Sequence, residues 1–217
     1  MAAAVLVLAH VTPAAAQDTI PPDEPGPPYP ALAPAEAQAV RAAAQAYISA
    51  AGSREGTAAA RLVSRGTRDY YARMAQLAVS APETQVRAAP LMERMMILMY
   101  RHRVPAADLR ALAGDAAFAY TIDEGWVAQD AEAGGVLAEA EVYGEGDQAV
   151  IWMGGDGVYF RREDGGWRWD MTPTLLAAST TMAPPPDSGM TEDEFVMFVL
   201  KYSNGRDPSP DIWQPLP

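Results

Sequence analysis

Apolar residues recur at helical spacing over the first half of the chain and alternate with polar ones over much of the second. Pro34 suits a first helical position, where the missing N–H would have had no partner anyway. Ala35 to Ala50 then runs dense in the strongest helix former. Gly52 and Gly56 break that run, and residues 57–80 resume it, with Leu62, Tyr70, Met74, Leu77 and Ala78 at helical spacing. Pro82 interrupts. Pro90 opens a third helix to about His102, and a short one from Pro105 to Ala113 ends at Gly114, a residue suited to a C-terminal cap.

The texture changes after Ala119. Residues 136–143 alternate, which puts Val136, Ala138, Ala140 and Val142 on one face of a strand. Residues 148–153, 157–162 and 166–171 read as three more strands, with Ile151, Phe160, Trp167 and Trp169 among their apolar positions. Turn-forming residues separate them at Gly144 to Asp147, Gly154 to Gly157 and Asp164-Gly165-Gly166. Asp-Gly favours the primed turns of tight hairpins, so an antiparallel meander follows, with helices covering its apolar face. Thr172-Pro173 begins a helix to about Met182, which Pro184 to Pro186 end. Thr191 with Glu194 forms a capping box for a last helix containing Phe195, Val196, Phe198 and Val199, stopped by Asn204-Gly205. The tail from Asp207 is extended, with Trp213 as its anchor. The predicted fold class is α+β: N-terminal helices packed on one face of a curved antiparallel meander of about four strands, plus C-terminal helices.

The N-terminal residues need a different reading. Ala2 to Ala9 is an apolar run too short for a membrane span, and Ala14-Ala15-Ala16 supplies a small-residue cleavage pattern before Gln17. Residues 1–16 therefore read as a signal peptide without a preceding Lys or Arg, and the expected location is periplasmic or secreted. Residues 17–33 are a Pro-rich linker expected to be weakly ordered. Residues 34–183 form the α+β domain, and 184–217 the C-terminal helix and extended tail.

Charge sharpens this picture. The 217 residues hold 28 acids against 16 bases, a formal net charge of −12. Such a balance repels phosphate and argues against nucleic-acid binding. Residues 36–112 carry eleven arginines and six acids, whereas residues 113–217 carry nineteen acids and five bases. This asymmetry either guides a docking partner or is consumed by internal pairing. With no cysteine and two histidines, thiol nucleophiles, disulfides and cysteine-ligated zinc are excluded. No cofactor is implied.

Three constellations are candidates for chemistry. Met92, Met95, Met96 and Met99 share one helical face, and thioethers suit Cu(I), so a soluble periplasmic copper-binding protein is one alternative. Leu91, Ile97, Leu98 and Tyr100 make the same helix apolar nearly all round, which favours a core element. His102, between Arg101 and Arg103, reads as part of a cationic helix end that complements the macrodipole. Asp69-Tyr70-Tyr71 offers a carboxylate and two phenols, but successive helical residues diverge by about 100°, which places Asp69 outside. Met95, Met99, Phe160, Trp167 and Trp169 are the expected lining of an apolar pocket between helices and sheet.

Val-Tyr-Phe-Arg-Arg-Glu-Asp-Gly-Gly-Trp-Arg-Trp-Asp, residues 158–170, resembles the closing strands of NTF2-like, cystatin-related α+β domains. The resemblance implies a curved sheet wrapped on helices around a cone-shaped pocket. Members include isomerases, dehydratases and non-catalytic binding or assembly modules, and no catalytic residue carries over. The expected function is a non-enzymatic binding or interaction domain for an apolar small molecule or a protein partner. The alternative is a small isomerase- or hydrolyase-type enzyme using carboxylate and Tyr groups in the pocket.

Overall fold

A computed structural model describes residues 26–126, 137, 139–153 and 156–217. The expected signal peptide, residues 17–25 of the linker, Val136, Ala138 and Gly154 lie outside the described residues. The fold is α+β. Helices α1 (Pro34–Gly52), α2 (Gly56–Ala60), α3 (Arg65–Ser80), α4 (Glu83–Ala88), α5 (Leu91–Arg103), α6 (Ala106–Ala111) and α7 (Asp115–Asp123) precede strands β1 (Glu141–Glu145), β2 (Gln148–Met153), β3 (Asp156–Glu163) and β4 (Gly166–Trp169). Helices α8 (Thr172–Thr181) and α9 (Glu192–Asn204) follow. Contacts gather the chain into two units, Arg68–Phe118 with Thr172–Pro217, and residues 26–67 with 119–171.

The second of these units is the meander with its helical cover. Its strands lie in the order β1-β2-β3-β4, all antiparallel. Asp164 and Gly165 both take positive φ, 51° and 76°, the primed turn that Asp-Gly favours between β3 and β4. The register aligns Gly144, Ala149, Phe160 and Trp169 across the sheet. Cross-strand partners share a face, and α1 packs against β1, β2 and β4. Fully buried Tyr47 of α1 sits 4.7 Å from Trp169, ring centre to ring centre, and Phe160 lies 5.7 Å from the same indole.

Both sheet edges are covered by backbone that sequence patterning assigned elsewhere. At the β1 edge, Leu32 donates to the Val142 carbonyl at 3.0 Å and Gly144 to Pro30 at 2.8 Å. The end of the Pro-rich stretch is thus ordered onto the sheet, which corrects the expected weak order for that part. Proline has no N–H to lose there, so it serves an edge without cost. At the β4 edge, Ser64 donates to Trp169 and Trp169 to Leu62, each at 2.9 Å. That pairing divides the single helix expected over 57–80 into α2 and α3. Two further corrections concern boundaries: β1 begins at Glu141, with Leu137 and Glu139 helical, and α7 forms where only a change of texture was expected.

A buried hydroxyl relay fixes the start of α3. Ser64 Oγ accepts from the Thr67 N–H at 3.1 Å as an N-cap and donates to Asp170 Oδ1 at 2.9 Å. Thr67 Oγ1 lies 3.0 Å from Ser64 Oγ and accepts from Met171 N–H at 2.9 Å. Because the Ser64 proton goes to Asp170, the Thr67 hydroxyl donates to Ser64, so all three side chains are satisfied in one direction. Arg161 Nε reaches Asp170 Oδ2 at 3.4 Å.

The other unit is built around α5, which contacts α4, α6, α8 and α9. Being apolar nearly all round, it buries Leu91, Met92, Met95, Met96, Ile97, Leu98, Met99 and Tyr100. Arg101 turns its guanidinium toward the C-terminal end of α3, donating to Ala78 at 2.8 Å and Ala81 at 2.5 Å, and also to Ile212 at 3.1 Å. Ala78 lies in the last turn of α3, where carbonyls have no partner within the helix, and Ala81 follows directly after it. Helix α9 begins with the expected Thr191–Glu194 capping box and ends at Gly205 with φ 64°. Its acids meet the arginines of earlier helices: Arg94 bonds Asp193 at 2.8 Å and Glu192 at 3.1 Å, and Arg87 bonds Asp193 and Glu83. The tail returns across this unit, with Arg87 stacked 4.0 Å over Trp213 and Leu216 donating to Val79 at 3.0 Å.

Replacing Ser64 by Ala removes the α3 cap and leaves the buried Asp170 carboxylate short of a donor. The expected loss is about 2–3 kcal/mol in urea denaturation, with the native far-UV spectrum retained. A loss under about 0.5 kcal/mol would show that the relay does not hold α3 in place.

Candidate functional site

An open groove of about 560 Å³ runs along α3 in the unit built around α5. Asp69, Ala72, Arg73, Gln76, Val79 and Ser80 form one wall. Their spacing of three and four residues makes a single helical stripe, about 16 Å long at 1.5 Å per residue. The opposite wall comes from Leu109 and Arg110 of α6 and from Leu112, Ala113 and Gly114. Gly114 has φ +54°, the left-handed conformation that suits glycine, and it turns the chain from α6 into α7. Arg68 Nε holds Asp115 at 3.0 Å and so fixes that turn beside α3. Arg110 bonds the Pro217 carbonyl oxygen.

The lining is amphipathic. Ala72, Val79, Leu112 and Ala113 supply apolar surface over the fully buried Leu109; Asp69, Arg73, Gln76, Ser80 and Arg110 supply polar groups. Asp69 is exposed, Tyr70 half-buried and Tyr71 buried, as the 100° divergence requires. Arg73 forks onto Glu93 with bonds of 2.8 and 3.2 Å, which use both carboxylate oxygens. Nearby, the Tyr70 hydroxyl is buried without a hydrogen-bond partner. Its pKa is pushed far above the usual phenol value, chiefly by burial and then by the Glu93 charge. Burial also raises Tyr71, to about 12. Both phenols stay protonated at neutral pH.

The residues expected to line a pocket fall into the two units. Met95 and Met99 are 2% and 4% exposed in α5, and Met92 and Met96 are equally buried, the placement of core-filling thioethers. Phe160 and Trp169 come together in the meander unit, where Tyr47 rests against Trp169. Trp167 donates its indole N–H to Glu36 at 3.2 Å and carries Arg162 4.6 Å over its ring. Among the described residues, no three His, Asp or Glu side chains are grouped to hold a metal ion.

His102 departs from expectation. It is buried, and burial followed by the charges of Arg206 and Arg103 depresses its pKa, so it is neutral at pH 7. His102 itself adds no charge there, while Arg101 and Arg103 keep the last turn of α5 basic. Arg101 serves the end of α3, and Arg206 donates to the His102 carbonyl at the end of α5. The groove itself was missed. Its α3 stripe is visible as a spacing of small and polar residues, but the position of the α6 wall depends on the turn at Gly114.

The structure therefore defines an α+β protein with a helix-walled groove. Compared with known proteins, the chain matches no family model, no curated protein and no solved structure. Among the described residues, no helix is long and apolar enough to cross a membrane.

Because the folded His102 binds its proton more weakly than the unfolded residue, whose ordinary value is 6.5, the unfolded state gains the proton first as pH falls. The stability contribution is present above 6.5 and is lost as pH drops from there toward the depressed folded value. Urea midpoints measured across that interval should fall less in His102→Gln than in the wild type. Identical pH slopes in the two proteins would contradict a buried neutral imidazole.

Proposed function

We propose that this chain is an exported, non-enzymatic binding domain that holds an amphipathic small molecule in the α3–α6 groove. The carrying observation is the groove's volume together with its mixed lining. Small-molecule sites typically measure about 300–1,000 Å³ and combine apolar surface with a few orienting polar groups. Ala72, Val79, Leu112 and Ala113 would take an apolar body, and Arg73 and Arg110 a polar or anionic end. The non-catalytic part of the reading is supported by the groove's own carboxylate, Asp69, which is exposed, while the phenols next to it in sequence, Tyr70 and Tyr71, lie outside the lining.

An NTF2-like relationship belongs to the same proposal. Its supports are the 158–170 hairpin and the order of helices before an antiparallel meander. Periplasmic or secreted location is supported by the Ala2–Ala9 run and the Ala14-Ala15-Ala16 pattern.

Anilinonaphthalene sulfonate, an amphiphile with an anionic head, is a suitable probe. Ala72→Trp fills the groove from a half-exposed position, so probe affinity should fall about tenfold or more, with little change in melting temperature. A Phe198→Ser/Tyr202→Ser control, altered on α9, should bind the probe as the wild type does. Undiminished binding to Ala72→Trp would sink the groove as the site.

A further inference from the structure

Helix α9 has two apolar faces. Val196 and Leu200, both 0% exposed, form the face buried in its own unit, where α9 contacts α5. Phe195, Phe198 and Tyr202 form the other, centred roughly 140° away at 100° per residue. Phe198 is 43% and Tyr202 60% exposed, and their rings lie 4.3 Å apart. Two large aromatics one turn apart in water are unusual for a surface with no partner.

The spacing of this outer face is i, i+3, i+7, the a-d-a seam of a coiled coil. In that register Glu194 and Lys201 both occupy g positions on the same flank of the seam. Antiparallel pairing brings g against g, so Glu194 meets Lys201 of a second copy and Lys201 meets its Glu194. Parallel pairing would instead set Glu194 against Val199 and carry Lys201 past the end of α9. The charges complement each other in the antiparallel arrangement alone. A two-fold axis near residues 197–198 generates both ion pairs at once.

We infer that α9 is a self-association surface, and that its partner is a second copy of this chain docked antiparallel through Phe195, Phe198 and Tyr202 with reciprocal Glu194–Lys201 pairs. The existing bonds of these two side chains permit the exchange. Lys201 pairs with Asp207 at 2.8 Å in a fully exposed setting, an interaction of little strength. Glu194 makes its capping bonds to Thr191 through Oε2, which leaves Oε1 of this exposed side chain available to a cation. The seam spans little more than two turns, so the dimer is a weak one in rapid exchange. This inference is independent of the groove.

Sedimentation over a concentration series should show a monomer–dimer equilibrium that weakens with salt. Lys201→Glu, which touches only an exposed pair, should weaken it about tenfold or more, and Phe198→Ser/Tyr202→Ser should abolish it. The register is tested by mixing. Glu194→Lys and Lys201→Glu should each self-associate poorly, and an equimolar mixture should form the heterodimer, because every g–g contact is then oppositely charged. Circular dichroism of each variant confirms that α9 stays helical without its capping glutamate. A wild type that remains monomeric at every concentration would overturn the inference. So would a folded pair of variants that fails to associate on mixing, or a Lys201→Glu protein that dimerises as tightly as the wild type.

Discussion

The unit built around α5 depends on one buried cation. Arg94 stands in a helix whose other inward positions are methionine, leucine, isoleucine and tyrosine, and the whole residue is 8% exposed. A guanidinium at that depth requires anions and carbonyls around it, or it would be expelled. Asp193 and Glu192, at the start of α9, supply the anions, and Ala89 supplies a carbonyl at 3.1 Å. The capping box at Thr191 fixes where α9 starts and therefore where those carboxylates stand. From this follow the seating of α9 on α5, the second apolar face that α9 presents to solvent, and the return of the tail across the same unit.

The same interaction explains the charge pattern along the chain. An Arg-rich first half and an acidic second half invite the idea of a polar surface made for a partner. Within residues 68–118 and 172–217, however, nine bases accompany eleven acids, and the arginines are largely spent inside the unit. Arg87 and Arg94 hold Asp193, Arg101 holds helix-end carbonyls and Ile212, and Arg206 holds the His102 carbonyl. Separation in sequence served to bring distant segments together. The two proposed docking features, the mixed groove and the aromatic seam, are small and local by comparison.

Features governed by neighbouring residues were legible in the sequence. Pro34, the Thr191–Glu194 box, Gly205 and the Asp164-Gly165 turn each act through their own backbone, and each stands where the sequence implies. Features created by pairing at a distance were not. Leu62 fits a helical pattern, yet Leu62 and Ser64 find better partners in Trp169 and become an edge of the sheet. Pro30 and Leu32 look like linker until β1 offers them bonds. On adjacent strands Phe160 and Trp169 meet, and Tyr47 of α1 rests against Trp169, a contact that strand patterning alone does not specify. The groove was hidden for a related reason. One wall is a stripe of small and polar side chains, and the other is placed by a left-handed glycine and an Arg68–Asp115 pair.

Arg94 and Asp193 thus act as one unit joining α5 to α9. A double-mutant cycle on urea stability with Arg94→Met and Asp193→Asn isolates that coupling from the cost of either change alone. The expected coupling is about 1–2 kcal/mol, so the double variant is less destabilised than the sum of the single ones. Additivity within about 0.3 kcal/mol would contradict it.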